Sequence, residues 1–145
     1  MADQQEEVID SPVGWVAKHV RRYIETDGKE GYHYNGMPTL LLTTRGRKSG
    51  KLYRTALAYG QDGDRYLLVA SNGGADEDPS WYRNLEANPE VDLQVKADKF
   101  KARARTASPE EKPPLWQIML KVLPRYDQYQ KKAKRDIPLV ILERI

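Results

Sequence analysis

Apolar residues recur along this chain with two different periods, and each predicts its own kind of element. Between residues 39 and 70 they come in short runs: Leu40-Leu41-Leu42, then Ala56-Leu57-Ala58-Tyr59, then Leu67-Leu68-Val69-Ala70. These runs predict strands at roughly 39–44, 54–60 and 65–70, and the last is so continuously apolar that a central position buried on both faces is expected. Asp62-Gly63 is the hairpin turn signal between the second and third. Farther on, Val91, Leu93 and Val95 alternate with Asp92, Gln94 and Lys96, and Phe100, Ala102 and Ala104 alternate with Lys101, Arg103 and Arg105. Period two of this kind predicts half-exposed strands turned back at Ala97-Asp98. Ile137–Leu142 reads as the closing strand, with Pro138 pointing to an edge or a bulge.

Helical spacing appears elsewhere. Trp15, Val16, His19, Val20, Tyr23 and Ile24 form one stripe, opened by Ser11-Pro12 and stopped by Asp27-Gly28. Lys18, Arg21 and Arg22 lie around the rest of that helix, so the stripe fits packing on a domain or a basic amphipathic helix on a membrane surface. Asp78-Pro79 opens a short helix with Trp81, Tyr82 and Leu85 inward, and Asn88-Pro89 ends it. Ser108-Pro109-Glu110-Glu111 is a capping box, after which Pro113-Pro114 is expected to break or restart the helix. Leu115, Trp116, Met119 and Leu120 carry the next apolar face, and Tyr126 and Tyr129 share a face of a following helix. Short strands in hairpin order with a few helices predict a mainly β (α+β) chain, a small antiparallel barrel with peripheral helices. Residues 1–10 read as a disordered tail and 11–145 as one domain.

Composition narrows the chemistry. The chain has no cysteine, and His19 and His33 are not spaced as a metal pair, so no metal site is expected. Its acidic first ten residues are unlike a signal peptide, and no run of about 18 apolar residues could span a membrane, so a cytoplasmic location is expected. The formal charge of +3 is unevenly spread, with basic clusters at 45–54, 96–105 and 131–135 that favour an anionic partner. The densest is Thr43–Thr55, whose Gly46 and Gly50 bracket Arg47, Lys48 and Ser49, with Arg54 and Thr55 following. Glycines let successive N–H groups converge on an anion, arginines add bidentate forks, and hydroxyls fit beside a phosphate oxygen. A solvated basic hairpin is the plain alternative. The spacing is not that of a Walker A loop. A second glycine loop, Ser71-Asn72-Gly73-Gly74, follows the most apolar strand and lets a flat group approach the backbone.

Gly46-Arg47-Lys48-Ser49-Gly50, Arg54-Thr55 and Val69-Ala70-Ser71-Asn72-Gly73-Gly74 together resemble the deazaflavin (F420)-dependent nitroreductase family of actinobacteria. Pro79-Ser80-Trp81-Tyr82-Arg83-Asn84-Leu85, Asn88-Pro89, Trp116, Pro124-x-Tyr126-x-x-Tyr129-Gln130 and Arg135-x-Ile137-Pro138 continue the match in order, over about residues 13–145. The resemblance implies a split β-barrel of the flavin-reductase, FMN-binding type that binds coenzyme F420. It implies that Arg47, Lys48, Ser49, Arg54 and Thr55 hold the phosphate and oligoglutamate tail of that coenzyme. Ala70, Ser71, Gly73 and Gly74 would line its ring, with Trp81 and Asn84 closing the pocket. Tyr126 and Tyr129 match positions on the substrate side, and a tyrosine or Ser71 is the candidate proton donor. The sequence departs from the pattern at Ala56, Arg83 and Pro113-Pro114, the last bearing on the substrate wall.

The expected reaction is hydride transfer from reduced F420 to a menaquinone-like quinone, a nitroaromatic or an activated enone. A lipid-dissolved quinone would give the 12–26 helix a reason to touch the inner face of the cell membrane. The competing readings are an FMN- or haem-binding split barrel, and a nucleic-acid-binding β-barrel using the basic hairpin at 96–105. The aromatics fall in helices and strand interiors rather than on an exposed sheet, so no nucleic-acid partner is expected. The oligomeric state stays open.

Overall fold

Leu40 and Leu42 face one core while Leu41, between them, faces another, and this division runs through the whole molecule. The computed structural model describes residues 7–11, 14–34 and 36–145. Its elements in chain order begin with β1 (Val8–Asp10), α1 (Gly14–Glu25), β2 (His33–Tyr34), β3 (Met37–Arg45) and β4 (Leu52–Ala58). Then come β5 (Gly60–Asp62), β6 (Arg65–Val69), a 3-10 turn (Asn72–Gly74), α2 (Ser80–Ala87) and β7 (Glu90–Val95). The chain ends with β8 (Asp98–Thr106), α3 (Lys112–Val122), α4 (Tyr126–Lys132) and β9 (Leu139–Arg144).

The strands pair in the order β1-β4-β3-β7-β8-β9-β6-β5, with β2 paired to β3 off this path. Every pairing is antiparallel except that of β1 with β4. β1 and β5 end the sheet without meeting, so the barrel is split, as expected for this mainly β chain.

Strand alternation sorts the apolar side chains into two main cores. Inside the sheet, Leu40, Leu42, Leu68, Ala70, Val91, Leu93, Ala102, Ala104, Val140 and Leu142 pack with Tyr82 and Leu85 of α2. On the other face of β6 and β9, Leu67, Val69, Leu139 and Ile141 meet Leu115 and Met119 of α3 and Tyr126 of α4. Each fully buried aliphatic side chain contributes roughly 1.5–3 kcal/mol. A smaller cluster seats α1, whose Val20 and Tyr23 are wholly buried against Leu41. The Tyr23 hydroxyl donates to Thr39 O at 2.9 Å and accepts from Lys96 N at 2.7 Å, and burial raises its pKa. α1 stops where Asp27 and Gly28 take positive φ, as the sequence predicts. Pro12, its expected first position, lies outside the described residues.

Several expectations change. The 65–70 strand is buried on both faces but sits beside the edge strand β5, because α3 and α4 cover its outer side. β9 lies inside the sheet between β8 and β6, and Pro138 just precedes it, accepting Ala70 N–H at 2.9 Å through its carbonyl. The capping box forms reciprocally, with Ser108 N donating to Glu111 Oε1 at 2.9 Å and Glu111 N to Ser108 Oγ at 3.2 Å. The helix begins only at Lys112, so Pro113 and Pro114 sit in its first turn, where N–H groups have no intrahelical acceptor. The strand expected at 54–60 divides at Tyr59 into β4 and β5. A side chain at Gly60 would put its Cβ 2.6 Å from Met119 Sδ, so α3 packs directly on this bend. The tail expectation fails at its end: Val8–Asp10 is a strand, held by pairing with β4 and by Asp10 on Arg54.

Candidate cofactor site

The β3–β4 connection is closed by its own backbone: Gly46 N donates to Lys51 O at 2.7 Å and Gly50 N to Gly46 O at 3.0 Å. Gly46 must lack a side chain, since a Cβ there would lie 2.5 Å from the Tyr53 ring. The hydroxyls of Tyr53 and Ser49 share a hydrogen bond of 2.8 Å, and Ser49 Oγ also accepts Lys51 N–H at 3.2 Å. Ser49, expected to meet a phosphate, is therefore partly engaged in shaping the loop.

α2 fixes the next cation. Asn84 is only 5% exposed, and its Oδ1 accepts both Arg47 N–H (3.2 Å) and Arg47 Nη1–H (2.8 Å), while its Nδ2 donates to Thr44 Oγ1 at 3.4 Å. One buried amide thus sets the position of the arginine that leads the loop. Arg54 on β4 presents its fork to Asp10, Nε to Oδ1 at 2.7 Å and Nη2 to Oδ2 at 3.2 Å. Lys48 makes no ion pair among the described residues.

These side chains border an open cavity of about 620 Å³. Its lining brings together Arg47, Lys48, Ser49, Arg54, Thr55, Trp81 and Asn84 from the expected set. Tyr53, Thr44, Ser80 and Asp10 line it as well and were not anticipated. The volume suits a cofactor-sized ligand, and the walls combine cations, hydroxyls and two aromatic rings. That donor set suits an anionic ligand.

Ala70, Ser71, Gly73, Gly74, Tyr126 and Tyr129 do not line this cavity. The Ala70 side chain is buried inside the sheet with α2, whereas the 3-10 turn that follows packs on α4, which carries Tyr126 and Tyr129. Arg135 holds the 3-10 turn, donating from Nη2 to Ala70 O (3.2 Å) and Ser71 O (3.1 Å), from Nε to Ala75 O (3.0 Å) and from Nη1 to Asp78 (2.7 Å). Gly74 lies so close to α4 that a Cβ would be 3.1 Å from Tyr129 Cα and O. Tyr126 is 5% exposed, between Trp116 and Tyr129, and burial pushes its hydroxyl up to about 12. The turn and the cavity are joined through Asp78, which Arg135 grips just before α2 brings Ser80 and Trp81 to the cavity.

Comparison with known proteins shows the family. The family model described as F420H(2)-dependent quinone reductase matches residues 15–144. The chain belongs to that family. It is 38% identical over 143 residues to an F420H(2)-dependent quinone reductase of Mycobacterium tuberculosis (strain ATCC 25618 / H37Rv), covering 90% of this chain and 96% of the relative. Among solved structures, an F420-H2 dependent reductase (FDR-A) is 38% identical, with a TM-score of 0.68 over 73% of this chain and 94% of that one. A domain-swapped dimer is 36% identical, with a TM-score of 0.71 over 92% of this chain and all of the other. The F420H(2)-dependent quinone reductases are oxidoreductases, and coenzyme F420 is the cofactor of the family. Of the residues the sequence reading missed, Ser80 lay inside a recognised motif, whereas Asp10 stood in a stretch with no local signal of structure.

Proposed function

We propose that the protein reduces a quinone at the expense of F420H2, with the coenzyme's anionic end held at the β3–β4 loop. The observation that carries this reading is the convergence of Arg47, Lys48, Arg54, Thr55, Trp81 and Asn84 on one cavity. Arg47, oriented by Asn84, and Lys48 would hold phosphate and carboxylate oxygens, and Arg54 and Thr55 would add a fork and a hydroxyl. Trp81 and Tyr53 offer aromatic walls against which a flat group could lie. When bound, reduced F420 supplies a hydride, two electrons at once, to an acceptor.

The chain's remaining task is a proton. A reduced acceptor carries an anionic oxygen, and Ser71 Oγ, Tyr126 Oη and Tyr129 Oη are the proposed groups to hold or donate a proton there. Burial pushes the Tyr126 hydroxyl up to about 12, so it stays neutral and a weak acid, better suited to hold an anionic oxygen by hydrogen bonding than to yield its proton. The same chemistry extends the proposed acceptors to nitroaromatics and activated enones.

A lipid-soluble quinone also motivates peripheral membrane contact by α1. No helix among the described residues is long and apolar enough to cross a membrane. Trp15 is 59% exposed, stacked on Tyr34 at 5.8 Å between ring centres, and Lys18 and Arg21 are exposed on the same helix. Vesicles with anionic lipid should co-float with the protein and lose it on Trp15→Ala with Lys18→Glu; unchanged flotation ends that part of the reading.

The deciding experiment follows F420H2 oxidation with a soluble menaquinone analogue, a nitroaromatic and an enone in parallel. Quinone turnover is expected, with kcat lowered about tenfold or more in whichever of Tyr126→Phe and Tyr129→Phe removes the donor. Absence of turnover with every acceptor, despite F420 binding, would overturn the proposed reaction.

A further inference from the structure

The cationic strand β4 carries a neighbour of its own sequence. β1 runs parallel to it, with Val8 opposite Leu52, Ile9 opposite Tyr53 and Asp10 opposite Arg54. Ile9, Asp10 and Ser11 line the same cavity as Arg47 and Lys48. The Asp10 carboxylate takes both Arg54 Nε and Nη2, at 2.7 and 3.2 Å. A carboxylate in bidentate contact with an arginine is the same chemistry by which that arginine would hold a ligand's carboxylate or phosphate. The protein therefore presents to its own anion site a group that an anionic ligand must either join or replace.

Joining is unfavourable, because a second anion at Arg54 would stand beside the first at a distance where like charges repel strongly. Replacement is undemanding. β1 has three residues, all only partly buried, at the end of the sheet and bound to a single neighbour. Short edge segments of this kind open locally far below the cost of global unfolding. The ion pair itself is about a quarter exposed, with side-chain exposures of 24% for Arg54 and 28% for Asp10, so water can receive the released carboxylate.

We propose that β1 is an internal strap, in which Asp10 occupies Arg54 in the free protein and yields it to the phosphate or carboxylate oxygens of an arriving ligand. The strap discriminates as well as gates: weakly anionic ligands do not displace it, and ligands with several anionic groups do. The identity of that ligand as F420 rests on the reading given above; the strap itself rests on the Asp10–Arg54 geometry.

The test compares the full chain with Asp10→Asn, which keeps the shape and removes the charge, and Asp10→Glu, which keeps the charge. Each is titrated with F420 and with inorganic pyrophosphate at two salt concentrations, and amide exchange of residues 8–10 is followed with and without ligand. Asp10→Asn is expected to bind both probes about tenfold more tightly, within the usual range of coupling between sites, with the difference shrinking at high salt. Asp10→Glu should stay near the wild type, and ligand should speed exchange at residues 8–10 in the wild type. Weaker or unchanged binding by Asp10→Asn, or slower exchange at residues 8–10 on binding, would overturn the strap and make Asp10 a residue that orients Arg54. Tighter pyrophosphate binding by Asp10→Asn with no F420 binding by either protein would uphold the strap and refute the cofactor.

Discussion

Around the β3–β4 loop the charged side chains stand at the rim of an open cavity, whereas around the 3-10 turn the one central cation, Arg135, is consumed inside the protein. Arg47, Lys48 and Arg54 keep donors near solvent, and even Arg54's partner comes from an edge strand. Arg135 instead satisfies three backbone carbonyls and Asp78 with its side chain only 16% exposed. The two regions contain the same residue type under different obligations. An arginine that completes buried hydrogen bonds is part of the fold, and one that keeps donors at a cavity rim is available to a ligand. Substitutions should accordingly split into stability effects on the α4 side and binding effects on the loop side.

The largest stability effect belongs to Arg135. Arg135→Ala should destabilise the protein by about 3 kcal/mol, since it leaves Asp78 and the carbonyls of Ala70, Ser71 and Ala75 without their donor. Arg135→Lys should recover only part of this, because a point charge cannot serve all four acceptors. Urea unfolding measures both, and a loss below about 1 kcal/mol would remove the contrast between the two regions.

The next effect separates two adjacent glycines. Both have positive φ, but a Cβ at Gly74 meets the Tyr129 backbone at 3.1 Å, whereas a Cβ at Gly73 meets nothing within 4 Å. Gly74→Ala should cost about 2 to 3 kcal/mol and Gly73→Ala about 1 kcal/mol. Equal losses would mean that the turn does not depend on its contact with α4.

The smallest lies on the surface, where Arg105 and then the Ser108 N–H hold the Glu111 carboxyl down at about 2. A carboxyl depressed by folding contributes stability that is full at neutral pH, begins to fade below the usual carboxylate range and is gone once pH drops through about 2. Thermal unfolding of Glu111→Gln should therefore differ modestly from wild type at pH 7 and converge with it in strong acid. A gap that persists in strong acid would assign the effect to packing.

What could be read from the sequence was whatever is local. Leu40–Leu42, Leu67–Ala70 and the 91–106 alternation disclosed strands because period two acts within a few residues, and the glycine-bracketed loop disclosed a candidate anion site because its cationic side chains are contiguous. The Gly46 and Gly50 N–H groups, however, turn out to close the loop on its own carbonyls. What the sequence conceals is how segments close on one another and where an element begins. Asp10 and Arg54 are 44 residues apart, and nothing near either announces the other. Ser49 lines the cavity as expected, but its bond to Tyr53, four residues on, exists only once the hairpin closes. Pro113-Pro114 reads as disruptive because a capping box at Ser108 predicts a helix from Pro109, about one turn before α3 begins at Lys112. Pro138 suggested an edge because its N–H is missing, yet the strand it precedes starts only at Leu139.

The central claim is that the β3–β4 cavity holds F420 by its cations. Titration of the purified protein with F420, followed by fluorescence, with flavin mononucleotide in parallel and Arg54→Ala as the control, addresses it most directly. The account predicts tight binding of F420 in preference to flavin mononucleotide, weakened about tenfold or more in Arg54→Ala. F420 binding that is indifferent to Arg54→Ala, or a preference for flavin mononucleotide, would contradict it.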